Sequence, residues 1–205
     1  MSYIAVLDYG AGNLRSVANA LLCLGCQPRI TSRPAEVLTA AATILPGVGA
    51  AGEAYDSLER LGLAQALQQL IGEGRPLFAV CVGMQVLLSA TEEGGWHRCL
   101  GVIPGVARRL PSHLKVPHMG WNQVRQEIGH PLFEGIPDEA NFYFVHSYYP
   151  DLEDASVVAG TTQYGLRFCS VLVRGNLVAT QFHPEKSGEL GLRMYANFIR
   201  FAGVV

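Results

Sequence analysis

No apolar run in this chain approaches the length of a membrane span, because glycine, proline or a charge cuts each one. Charge is sparse: 15 basic and 17 acidic side chains leave a net charge of −2, and charged residues make up only 16% of the 205. No basic cluster or stripe stands out, so neither nucleic acid nor an anionic membrane is an expected partner. The five cysteines are an odd number with no framework spacing. That excludes a disulfide scaffold and points to the reducing cytoplasm. Met1-Ser2-Tyr3-Ile4 leads straight into a strand pattern without a basic n-region, so no secretory leader is expected.

Hydrophobic residues, at 49%, are plentiful enough for one substantial core, and residues 1–205 are expected to form a single domain. The first half alternates short apolar runs with helical periodicity. Ile4–Leu7, Pro28–Thr31, Thr43–Leu45 and Leu77–Val80 read as strands. Helical spacing covers Leu14 to Leu22 (capped by Gly25), Ala35 to Ala41 and a long stretch from Glu53 to Glu73. This order predicts an α/β fold with a mostly parallel, doubly wound sheet flanked by helices. In the second half, strand patterns at 101–110, 120–127, 141–149, 156–162 and 169–174 are separated by turn residues. They predict an additional antiparallel region with a hairpin at Gly175-Asn176 and a closing helix over 190–201.

Chemistry concentrates at Cys81. The strand Leu77-Phe78-Ala79-Val80 ends there and Gly83 to Leu88 resumes at helical spacing, with small residues two positions before and after. That is the pattern of a nucleophile elbow, although a lone cysteine is more commonly a buried filler. Far downstream, Gln181-Phe182-His183-Pro184-Glu185 ends another strand pattern and offers a base with a carboxylate to orient it. Parallel sheets gather reactive groups at their carboxyl edge, so both segments are expected at one edge. Gly47-Val48-Gly49 is either a tight turn or a backbone oxyanion site completed by the amide of Val82.

Other motifs carry less. Gly10-Ala11-Gly12 lacks the third glycine of a dinucleotide fingerprint. Cys23-Leu24-Gly25-Cys26 has no second pair or histidine cluster, so no metal is assigned. Pro117–Asn122 and Phe144–Tyr149 are rich in histidine and aromatics; spacing leaves open whether they are structural or form an interface.

Together, Tyr9–Asn13, Pro46–Gly49, Cys81–Gln85, Pro117–Asn122, Val145–Tyr149 and Gln181–Ser187 are similar to the class I (triad) glutamine amidotransferases. They most resemble the glutaminase subunits of imidazole glycerol phosphate synthases. The resemblance implies that Cys81 attacks the side-chain amide of glutamine and that His183, held by Glu185, moves the proton. It implies a substrate and oxyanion site from Gly47, Val48, Gly49, Val82, Gln85, His146, Ser147 and Tyr148. It also implies a heterodimer with a (β/α)8-barrel cyclase of histidine biosynthesis, and no cofactor. Asn13, Trp121, Asn122, Tyr143 and Lys186 would lie toward that partner and the ammonia path. Ala79 departs from the glycine usual in the family, a tolerable change if its backbone is ordinary strand.

Overall fold

Four parallel strands, Ile4–Leu7 (β1), Pro28–Thr31 (β2), Ala42–Gly47 (β3) and Leu77–Cys81 (β4), carry the site in the computed structural model, which describes residues 3–204. Met1 and Ser2, the start of the N-terminal strand pattern, lie outside those residues. β1, β3 and β4 are buried along their whole length, as expected of strands covered on both faces. The helices between them are Leu14–Cys23 (α1), Pro34–Thr39 (α2), Ala51–Arg60 (α3) and Leu63–Gly72 (α4). α1 ends as its glycine predicts: Gly25, at φ 75°, gives its N–H to Leu22, and the Cys26 N–H reaches Leu21.

The single helix expected over 53–73 is two. Gly62 adopts φ 70°, which ends α3 and starts α4, and the buried face changes phase across it, from Ala51, Tyr55 and Leu58 to Leu63, Leu67 and Leu70. Beyond Cys81 a five-residue helix, Val82–Val86 (α5), stops short of the expected span, and Leu88–Thr91 (β5) begins a strand.

The remaining strands are His97–Arg98 (β6), Ile103–Arg109 (β7), His118–Gln126 (β8), Ala140–His146 (β9), Tyr148–Leu152 (β10), Val158–Tyr164 (β11), Leu166–Arg174 (β12) and Leu177–Thr180 (β13), and the last α-helix is Gly188–Phe201 (α6). Among the described residues the main sheet has nine strands in the order β2-β1-β3-β4-β13-β12-β11-β8-β9. It is parallel as far as β13 and antiparallel beyond, with the hairpin at Gly175-Asn176 joining β12 to β13. The expected strand over 141–149 divides at Ser147. Its first part stays in the main sheet, and its second joins a four-stranded sheet, β10-β7-β5-β6, with no counterpart in the sequence reading.

α6 docks on the sheet through Tyr195 and Phe198, whose rings lie 5.1 and 5.2 Å from that of Phe78. Each such buried side chain is worth ~1.5–3 kcal/mol in apolar transfer, which fixes the helix directly behind the strand that carries the cysteine. No helix among the described residues is long and apolar enough to cross a membrane.

Candidate active site

The register Gly47↔Cys81 and Thr180↔Val80 brings the ends of β3, β4 and β13 to one edge. Cys81 sits there at φ 55° and ψ −110°, a backbone that non-glycine residues avoid and that stores strain of order 1–3 kcal/mol. Two glycines make this turn possible through space rather than dihedral freedom. A Cβ on Gly83 would stand 2.2 Å from the Leu45 carbonyl oxygen, and one on Gly47 would stand 2.5 Å from the Gly83 nitrogen. Ala79 is an ordinary strand residue paired with Leu45 and Ala179, so the family departure leaves the elbow intact.

His183 follows β13 and is 1% exposed. Its backbone N–H binds the Tyr143 carbonyl at 2.9 Å, its carbonyl accepts from Ser187 Oγ at 2.6 Å, and the Tyr143 N–H donates to the same Oγ at 3.0 Å. The ring Nδ1 lies 2.8 Å from Glu185 Oε1, with both side chains almost wholly buried. A carboxylate only accepts, so Nδ1 carries the proton there. Burial opposes charge on this ring, but the adjoining Cys81 sulfur and the Glu185 carboxylate outweigh it and lift its pKa from 6.5 to about 9. A protonated imidazole therefore stands beside the sulfur. Behind Glu185, burial and then the carboxylate keep the Tyr195 phenol protonated, its ionisation pushed well above the usual range.

A cavity of about 360 Å³, within the ~300–1,000 Å³ typical of small-molecule sites, opens onto Cys81 and His183. Val48, Gly49, Val82, Gln85, His146, Ser147, Tyr148 and Lys186 also line it, so most expected substrate residues converge. Gly47 does not line it; that residue is buried against Val82, Gly83 and Tyr9, where its lack of a side chain lets β3 pass under the elbow. Val48 and Gly49, the latter at φ +87°, separate the cavity from a second one of about 600 Å³ that Tyr9, Gly10 and Arg60 help to line. Val82 opens α5, so its N–H has no acceptor within that helix. A larger hollow of about 640 Å³ between α1 and α6 holds no nucleophile.

The partner-side residues form a surface group. Trp121 is 59% exposed, its ring packs edge-on at 6.1 Å against Tyr143, and Lys186 Nζ stands 5.8 Å over the Tyr143 ring. Asn122 is half-buried on the same strand. Asn13 stands at the N-cap position of α1 without a side-chain capping bond and is half-buried outside the cavity.

Three residues with a place in the site were missed as site residues in the sequence. Gln181 Nε2 donates to Cys81 Sγ at 3.6 Å, while its Oε1 accepts from Gln85 Nε2 at 3.0 Å. Gln85 Nε2 also donates to the Tyr148 carbonyl at 3.0 Å, which commits both its hydrogens and leaves Oε1 as a free acceptor. Glu93 lines the cavity from the loop after β5, where its carboxylate accepts the N–H of Ala51 at 3.2 Å. Tyr9 donates its hydroxyl to the Pro46 carbonyl at 2.9 Å and so anchors the glycine segment from behind. Gln181 adjoins the histidine motif and was open to recognition; Glu93 and Tyr9 reach the site only through tertiary folding.

Comparison with known proteins gives the family. The sequence profile described as glutamine amidotransferase class-I matches residues 5–201. The chain belongs to the class-I glutamine amidotransferase family. Within it, the chain is 54% identical over 199 residues to the imidazole glycerol phosphate synthase subunit HisH of Dehalococcoides mccartyi strain CBDB1, covering 97% of each. It is 50% identical over 206 residues to the subunit of the same name from Chloroflexus aurantiacus, covering 98% of this chain and 97% of that one. Two solved structures share the amidotransferase fold at lower identity. One is PurLQS from Thermotoga maritima, with TM-score 0.79, 18% identity and coverage of 98% and 99% of the two chains. The other is a Trypanosoma brucei CTPS glutaminase domain with bound acivicin, with TM-score 0.71, 17% identity and coverage of 100% and 94%.

Proposed function

We propose that the chain, acting as one glutaminase domain, is the ammonia-generating subunit of an imidazole glycerol phosphate synthase in histidine biosynthesis. The observation that carries this is the buried Cys81–His183–Glu185 set, whose cysteine and histidine line a cavity of about 360 Å³, in a chain about half identical to such subunits along nearly its whole length. Glutamine enters with its carboxamide over Cys81. Glu93 is the carboxylate available to pair with the α-ammonium, and the free Oε1 of Gln85 is an acceptor for a ligand N–H. The Cys81 thiolate attacks the amide carbon while the N–H groups of Val82 and Gly49 stabilise the oxygen that becomes negative. His183 gives its Nε2 proton to the departing nitrogen, and ammonia leaves behind a γ-glutamyl thioester. The imidazole, now neutral, takes a proton from water, whose oxygen displaces the sulfur. Glutamate leaves and the starting charges return.

The partner in this proposal is a (β/α)8-barrel cyclase that docks over Trp121, Asn122, Tyr143 and Lys186, with Asn13 at the margin. Exposed Trp121 and Met119, neighbours on β8, are large apolar groups that such an interface would cover. Ammonia then passes beside Lys186 into the barrel. The test is Cys81→Ser assembled with the cyclase subunit: synthesis from glutamine is lost, while synthesis from added ammonium persists. Product from glutamine in that variant would remove the assignment of the nucleophile.

A further inference from the structure

A line of hydrogen bonds runs from the β8 surface through two buried histidines to the wall of the cavity. Asn122 Nδ2 donates to the Gln163 carbonyl at 3.1 Å and meets His118 Nε2 at 3.2 Å. His118 Nδ1 lies 2.9 Å from His146 Nε2, and His146 Nδ1 lies 2.8 Å from the Tyr148 carbonyl. That carbonyl is also an acceptor for Gln85. The two rings are 4% and 5% exposed. Burial lowers the pKa of His118 to about 4 and that of His146 to about 3, the latter helped by the charges of His118 and His183 against one favourable bond to Tyr148, so both are neutral near pH 7.

Neutrality fixes the direction of the line. A neutral imidazole has one donor and one acceptor nitrogen. The Tyr148 carbonyl only accepts, so His146 is protonated on Nδ1 and accepts at Nε2. His118 therefore donates from Nδ1 and accepts at Nε2, from the second hydrogen of Asn122 Nδ2. Asn122 Oδ1 accepts the Gln123 N–H at 2.8 Å, which sets the amide in that orientation. Every member is satisfied in one polarity, and reversing either ring would face two donors or two acceptors. Stacking on Tyr164 at 4.0 Å and on Phe144 at 5.0 Å holds the His118 ring in plane.

With both nitrogens engaged, His146 has none left for a ligand, although it lines the cavity. We propose that His118 and His146 are positioning residues, a two-ring relay that holds the Tyr148 carbonyl, and through it Gln85, in the orientation that receives glutamine. This rests on the glutaminase reading and assigns a role within it to a pair lying outside the triad.

The test begins with ring ¹⁵N shifts of the wild-type chain, which should show Nδ1–H and bare Nε2 at both positions; the Nε2–H tautomer at either would overturn the relay. His118→Phe keeps the stack but leaves His146 Nε2 without a donor. Assembled with the cyclase subunit, it should raise KM for glutamine about tenfold, the size of one lost buried hydrogen bond, with kcat changed less than about threefold. His118→Asn, which returns an N–H near the Nδ1 position, should recover most of that loss. Ammonium-dependent synthesis should be untouched by either. An unchanged KM in His118→Phe would overturn the relay while leaving the glutaminase reading standing; a wild-type complex that uses ammonium but not glutamine would overturn the reading itself.

Discussion

Replacing Gly83 with alanine tests the elbow at its tightest point. The added Cβ would lie 2.2 Å from the Leu45 carbonyl oxygen and 3.2 Å from both the carbonyl carbon and the Leu45 Cγ. An ordinary contact needs roughly 1 Å more than the first of these distances, and both sides of it are backbone or buried side chain, so β3 and α5 must separate by about that amount. Overpacking of this kind costs ~1–3 kcal/mol, and at ~2–4 °C per kcal/mol for a domain of this size the melting temperature should fall by several degrees. Catalysis should suffer more. The Cys81 backbone leads directly into α5, and a displacement near 1 Å between nucleophile and base reduces turnover by ~10²-fold. Ala79→Gly is the matched control: it changes the other small residue of the turn without adding an atom, and should cost only ~0.5–1 kcal/mol with kcat preserved. The assay pairs thermal unfolding with steady-state hydrolysis of glutamine in the presence of the partner subunit. A Gly83→Ala protein with wild-type melting and turnover would refute the argument that bare space at 83 makes the elbow.

The other expectations rest on separate parts of the site. His183 titrates near 9 in the folded chain against 6.5 for a free imidazole, so its protonated form contributes stability of about 3 kcal/mol that is complete below pH 6.5 and fades as pH rises through 9. Denaturant midpoints measured from pH 6 to 10 should show that decline, and Glu185→Gln should lessen it while the Cys81 contribution remains. Gln181→Leu removes the donor to Cys81 Sγ and the partner of Gln85 while keeping bulk; glutamine turnover should drop ~10-fold or more with ammonium-dependent synthesis unaffected, as read by paired assays of the complex. Trp121→Ala, at an exposed position, should leave melting unchanged yet weaken partner binding by ~2 kcal/mol, measured by titration calorimetry.

Local pattern sufficed wherever a residue's neighbours in sequence are also its neighbours in space. β1, α1 and β2 follow from their own periodicity and from Gly25, and the elbow follows from a strand ending at a cysteine between small residues. The break at Gly62 was legible and passed over: at ~100° per residue Leu58 and Leu67 fall on opposite sides of a continuous helix, so the apolar stripe changes phase there, and the glycine marks the spot. The apolar run after Cys81 suits a helix or a strand equally, and β5 is a strand because β7 and β6 lie beside it. Nothing in a linear reading pairs His118 with His146 or brings Glu93 to the cavity, since β8–β9 register and the loop after β5 are products of tertiary packing. Gly47 was placed in the site by its motif; its actual part is to be absent as a side chain.

Tyr143 presents an outward N–H and C=O from the edge strand β9, and both are taken up by the turn that carries the catalytic histidine. The sheet thus curls round until its last strand meets the end of β13, and the seam is sewn at His183 between residues up to 44 positions apart. The backbone of the catalytic base is therefore held from two directions, by its own strand β13 and by the edge strand that comes round to meet it. Ser187 Oγ ties the two together, accepting from Tyr143 and donating to His183. A disturbance at the far edge of the sheet thus has a short covalent and hydrogen-bonded route to the imidazole that never crosses the cavity.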